Sequence, residues 1–204
     1  MNMKKISIFL TAVLLTNLCF AADSLTNYLK TNGKIKANFT QKVISGTKTA
    51  VTTGELTISR PNKFKWSYKT NSSQFLISDG KKVYIYDQDL QQVIIKPITQ
   101  LINKSPATIL AGSDNLTQFY NVTPMNNNDA NTWYKLTAKN ANDNNGFAYI
   151  MLAFDKSQQI QQMKFLDTFN NKVEITFTNV SNNIGEQNFS FKIPDGVDVI
   201  DDSK

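Results

Sequence analysis

From Ile35 to Phe191 the residues alternate, with few breaks, between apolar and polar side chains. A two-residue period puts successive side chains on opposite faces of a strand, and it fits no helix. The clearest run is Lys63-Phe64-Lys65-Trp66-Ser67-Tyr68-Lys69. Phe64, Trp66 and Tyr68 share one face, and Lys63, Lys65 and Lys69 the other. The same period predicts strands over Ile35–Val43, Val51–Arg60, Phe75–Ser78, Val83–Tyr86 and Val93–Ile95. Beyond a helical interruption it predicts Phe119–Thr123, Trp133–Ala138, Phe147–Phe154, Ile160–Leu166, Lys172–Thr178 and Phe189–Phe191. Gly46, Pro61-Asn62, Asp79-Gly80 and two Asn-rich stretches supply turns. Connections this short admit only antiparallel neighbours. A twisted sheet of about ten strands curls on itself, towards an open or closed barrel.

Two segments depart from the pattern. Leu25, Tyr28 and Leu29 recur at helical spacing, with Asp23 or Ser24 to cap the start and Gly33 to end it. After Pro97, residues Ile98, Leu101 and Ile102 repeat that spacing, and Pro106 divides the stretch from Ile109 and Leu110. Two short helices are predicted there, because proline cannot sit inside one. Together these segments suit a cover over one mouth of the barrel.

The N-terminus has the layout of an export signal. Lys4 and Lys5 precede an apolar run, Ile6 to Leu18, and Cys19-Phe20-Ala21 follows. The run is shorter than the roughly 20 residues a membrane-spanning helix needs. Residues 1–21 are therefore expected to be a signal peptide cut before Ala22, with 22–204 a single domain. Cys19 lacks the preceding small residue of a lipoprotein signal, so no lipid anchor is expected. The mature chain then has no cysteine, and its stability must come from a packed core.

Composition narrows the chemistry. The chain has no histidine, and its only cysteine lies in the signal. No ordinary nucleophile–base pair is available. A metal site would be all oxygen, and no metal or cofactor is expected. The tight acidic pairs, Asp87-Gln88-Asp89 and Asp201-Asp202, read as a turn and a tail. The net charge of +6 is spread along the chain, which points away from nucleic acid. A carboxylate pair of the glycosidase kind has no local motif, though spacing alone leaves it open. The large aromatics Phe64, Trp66, Tyr68, Phe75, Phe154, Phe165 and Phe177 fill a core or line a cavity, and the strand count favours a cavity.

Five blocks, in order, resemble one family. Ala37-Asn38-Phe39-Thr40-Gln41-Lys42-Val43, Arg60-Pro61-Asn62-Lys63-Phe64-Lys65-Trp66, Ser78-Asp79-Gly80-Lys81, Ser105-Pro106 with the apolar residues after it, and Phe189 to Asp201 are similar to stretches of the LolA family of periplasmic lipoprotein carriers. The resemblance spans essentially the whole mature chain. It implies a mainly β fold with an α lid: an incomplete, unclosed antiparallel β-barrel covered by short helices. It implies a monomeric periplasmic carrier, not an enzyme, for the acyl chains of lipoproteins. Its partners would be acylated lipoproteins, an inner-membrane lipoprotein-releasing ABC transporter and an outer-membrane acceptor. The alternatives are an acceptor of the LolB type, a periplasmic glycan-acting hydrolase, and a scaffold with a solid core.

The resemblance also assigns roles. Arg60, the sole arginine, matches a residue that bonds the lid backbone and holds the lid closed. A guanidinium is a planar fork of donors that lysine cannot copy. The expected acyl-chain positions are Phe64, Trp66, Tyr68, Ile77, Leu101, Ile102 and Leu110. The lid departs from the family at Ala107, Thr108 and Gly112, where bulkier or basic residues are common.

Overall fold

A computed structural model describes residues 25–203, apart from 30, 71–72, 103, 113–115, 127–128, 141–145 and 168. The expected signal peptide, its cleavage site and the caps Asp23 and Ser24 lie outside the described residues. Among the described residues, helix α1 (25–29) leads into one sheet of twelve strands. These are β1 (Lys34–Ser45), β2 (Lys48–Ser59), β3 (Lys63–Tyr68), β4 (Gln74–Asp79), β5 (Lys82–Asp87), β6 (Gln92–Pro97), β7 (Tyr120–Met125), β8 (Thr132–Ala138), β9 (Phe147–Phe154), β10 (Ile160–Asp167), β11 (Lys172–Ser181) and β12 (Asp198–Asp201). Between β6 and β7 lie a 3₁₀ turn (Ile98–Gln100), α2 (Pro106–Ala111) and α3 (Leu116–Phe119). The sheet order is β12-β6-β5-β4-β3-β2-β1-β11-β10-β9-β8-β7, which leaves β12 and β7 as unjoined edges. The sheet is therefore not closed, as expected.

Alternation sets which face is buried. Phe64, Trp66, Leu56, Ile58, Phe39, Ile175 and Phe177 point to one face. There they join residues of α1 and α2 in one contiguous apolar core. Burial of such side chains stabilises by about 1.5–3 kcal/mol each and is the main support of a chain without disulfides. The longest hairpin, β1–β2, pairs Lys34 with Ser59 at one end and Ser45 with Lys48 at the other. Gly46 closes it at φ +58, a backbone that glycine adopts without cost.

Four expectations need correction. Phe119 ends α3, and strand β7 starts at Tyr120, because Leu116 to Phe119 takes one helical turn first. Phe189 to Phe191 forms no strand; the Phe191 ring instead packs, tilted, against Tyr84 and Tyr86, at 5.4 and 5.8 Å. It builds a second, smaller core on the outer face, with Phe75, Val93 and Ile95. Asp201 is not a tail residue. It ends β12, and Asp202 bonds Ile95 O through its backbone and Lys96 through its carboxylate, at 2.9 and 3.3 Å. Finally, not every pair is antiparallel. The chain crosses the outer face after β11 and returns along β6, and this long crossover makes β12–β6 parallel.

Gly54 shows how tightly the inner face is filled. It pairs with Phe39, and a Cβ there would stand 2.3 Å from the Phe39 ring and 2.2 Å from Ser67 O. Neither contact is tolerable without movement of ring and backbone together. Gly54→Ala is expected to cost about 2 kcal/mol, the usual scale for overpacking, read as a lower urea midpoint at an unchanged slope.

Candidate functional site

Arg60 follows the last residue of β2, beside the start of β1, and its backbone N–H donates to Gly33 O at 2.7 Å. That bond fixes the base of its side chain at the end of the β1–β2 hairpin. The half-buried guanidinium then reaches two helices. Nε donates to Leu110 O, at 2.9 Å, in α2. Nη1 donates to Leu29 O, at 3.1 Å, in α1, and to Asn32 O just beyond it. A helix ends with carbonyls that have no partner inside it, and they carry partial negative charge. One cation therefore serves the C-terminal ends of both helices. Asn62 adds a second grip on α2, its backbone N–H donating to Ala111 O at 2.6 Å.

The helix so held is short but well made. Ser105 caps it: Thr108 N donates to Ser105 Oγ at 3.2 Å, and Ser105 N donates to Thr108 Oγ1 at 3.1 Å. This reciprocal box satisfies two otherwise orphaned donors, and Pro106 stands at the first helical position, where its missing N–H costs nothing. Thr108, a departure from the family's bulkier residues, is thus half of the cap. Gly112 is another departure. A Cβ there would lie 2.9 Å from Thr108 O, so a basic residue would have to shift the helix end.

Ala107 to Ala111 of α2 are all buried against the inner face. Phe64, Trp66 and Leu110 are 0, 2 and 2 % exposed. Tyr68, Leu101 and Ile102 pack around them, half-buried. Phe39 links the aromatic strand together, 4.6 Å from Trp66 and 5.5 Å from Tyr68, ring to ring. Burial raises the Tyr68 pKa. The strand count predicts room for a ligand, but in this closed arrangement lid side chains share the same core as these sheet positions.

Ile77 does not belong with them. Lys65 pairs with Ile77, whereas Phe64 pairs with Ser78 and Trp66 with Leu76. Paired residues share a face, so Ile77 sits on the outer face. It lines a shallow groove of about 310 Å³ there with Phe75, Thr57 and Lys65. Leu76 takes the interior place. The whole run Phe75-Leu76-Ile77 is apolar, since both faces of β4 are covered, so alternation could not set its phase. Counting back through the Asp79-Gly80 turn could have done so.

Sequence reading also passed over Asn32, and placed Tyr28 only in the apolar spacing of the first helix. Asn32 is buried; its Nδ2 donates to Tyr28 O at 3.1 Å and its Oδ1 accepts from Asn182 Nδ2. It ties α1 to the end of β11. The Tyr28 ring lies 4.0 Å from Phe154. Burial pushes its hydroxyl up to about 12, against the pull of nearby Arg60.

The sequence model described as outer membrane lipoprotein carrier protein LolA matches residues 30–194. The chain belongs to the LolA family. Two relatives named outer-membrane lipoprotein carrier protein support the match. The one from Francisella philomiragia is 34% identical, over 99% of this chain and 100% of its own. The one from Methylobacillus flagellatus is 31% identical, over 87% of each. Among solved structures, an uncharacterized conserved protein from Thermus thermophilus aligns with a TM-score of 0.56 at 13% identity, covering 88% of this chain and 98% of that one. A DUF1329 family protein from Desulfovibrio piger gives 0.53 at 7%, covering 84% and 95%. At such low identity these two speak for the fold alone.

Two outcomes are expected for this LolA-family chain. Arg60→Leu should speed hydrogen exchange at the Ile109 amide about tenfold or more, since a charged hydrogen bond contributes about 1.5–3 kcal/mol; amides of β1 and β11 should not change. Between pH 10 and 12 the unfolded chain loses the Tyr28 proton while the folded chain keeps it. Stability is therefore full below pH 10 and falls as pH rises towards 12. Tyr28→Phe should flatten that fall in alkaline urea titrations.

Proposed function

We propose that this protein is a periplasmic carrier that takes up the acyl chains of lipoproteins released from the inner membrane and delivers them to the outer membrane. The observation that supports the reading is the Arg60 contact: α2, packed over an apolar interior, is held by its last carbonyls to the end of the β1–β2 hairpin. Names of the relatives agree with it. An inner-membrane transporter of the ABC type would load it, and an outer-membrane acceptor would unload it.

The energetics favour a lid that costs something to open. Each acyl CH₂ buried contributes roughly 0.8 kcal/mol. Several long chains fully buried would pass the practical ceiling of about −20 kcal/mol, and cargo would never leave. In the closed form α2 side chains share the core that an acyl chain would enter. Binding must displace them and break the Arg60 bonds, and that cost is returned when cargo leaves. The latch thus sets affinity by taxing the open state. Phe64, Trp66, Tyr68, Leu76 and the lid residues Leu101, Ile102 and Leu110 would meet the chains.

The mature protein should bind a fluorescent fatty-acid analogue at micromolar concentration and lose it to a lipopeptide. Arg60→Leu should bind the analogue about tenfold more tightly and hand lipoprotein to acceptor membranes more slowly. An Arg60→Leu protein with wild-type affinity and transfer rate would rule out the latch; absence of binding by the wild type would favour a solid-core scaffold.

A further inference from the structure

Phe169 is the most exposed large apolar side chain among the described residues, at 84 %. It stands on the β10–β11 turn, and the turn is not slack. Asp167 Oδ1 accepts from Phe169 N at 2.9 Å and from Asn171 N at 2.7 Å, while Oδ2 accepts from Asn171 Nδ2 at 2.8 Å. Asp167 N also donates to Asn171 O at 3.0 Å, and Asn170 takes a left-handed backbone at φ +65. These bonds do not need a phenylalanine, since they use the backbone of residue 169 and the side chains on either side. The ring is presented to water by a braced turn.

Its surroundings are basic and apolar by turns. Lys172 opens β11 opposite Ile44, Lys48 opens β2, and the exposed Val51 pairs with Lys42. Among the described residues, the acids at this end are engaged: Asp167 inside its own turn, and Glu174 with Lys164 at 4.0 Å and opposite Lys42 in the register. This end carries the Ser45–Lys48 tip of the long hairpin. Arg60 and α1 lie at the Lys34–Ser59 end, about 36 Å away at the usual rise per residue.

We propose that the Phe169 end is a contact site for an anionic lipid surface. The ring would enter the boundary between headgroups and acyl chains, and Lys42, Lys48 and Lys172 would face the anionic headgroups. A transient touch suits this chemistry, because one ring and a few lysines fall far short of anchoring. The role in delivery rests on the carrier reading, but the contact itself does not.

The test is co-sedimentation of the full mature protein with vesicles, either neutral phosphatidylcholine or phosphatidylcholine with a fifth phosphatidylglycerol. The wild type should partition onto the anionic vesicles, less so at high salt. Phe169→Ser should lower partition at least fivefold. Lys48→Gln should lower it about fivefold, and only on anionic vesicles. Both variants should keep fatty-acid analogue binding and melting temperature. If fatty-acid binding fails while partition still depends on Phe169, the carrier reading falls and the contact stands. If Phe169→Ser partitions like the wild type, the contact proposal is wrong. It is also wrong if no vesicle is bound while Phe169→Ser still slows lipoprotein transfer; the tip then meets a protein.

Discussion

One guanidinium holds the ends of two helices on a sheet that has no closing seam. Arg60 has planar donors and a fixed charge, and each bond ends on a carbonyl left over by helix geometry. A lysine could point one charge at one carbonyl. The fork reaches α1 and α2 together. Both helices therefore depend on a residue fixed by the end of the β1–β2 hairpin, the longest pair in the sheet. Loosening α2 frees bonds at the same centre that positions α1.

The unclosed sheet makes this arrangement useful. A closed small barrel fills itself with its own side chains and has no movable wall. Here the chain between β6 and β7 forms short helices, and α2 supplies part of the core from outside the sheet. Its residues are small or compact at Ala107, Thr108 and Ala111, so Ile109 and Leu110 provide most of the apolar burial. A helix of six residues has little stability of its own. It persists through its capping box, its packing and the two grips on its last carbonyls. In the proposed function that balance would let α2 leave the core when cargo enters.

Much of this was legible in the residues, for physical reasons. Strands buried on one face show a strict period, so Lys63–Tyr68 and its neighbours could be placed and their inner residues named. The role of Arg60 rests on the family resemblance; in the structure its guanidinium donates to Leu110 O, Leu29 O and Asn32 O. What failed to show were features with both faces covered or with partners far along the chain. Ile77 reads as inward because Phe75-Leu76-Ile77 is an unbroken apolar run, and only register puts Leu76 there instead. Strand β12 was hidden because Asp198 to Asp201 has little apolar pattern, and its partner β6 is remote in sequence. Asn32 looks like an ordinary residue before a glycine. Its burial and its bond to Asn182 come from tertiary structure alone.

The central claim is that acyl chains enter the space between α2 and the inner face of the sheet. It is tested most directly by placing a photo-crosslinking amino acid at Leu110 or at Ile77 and irradiating cells that express each protein. The two positions lie on opposite faces of the sheet. Leu110 should cross-link to acylated lipoproteins and not to unacylated forms, and Ile77 should cross-link to neither. Equal cross-linking from Ile77, or none from Leu110, would contradict the account.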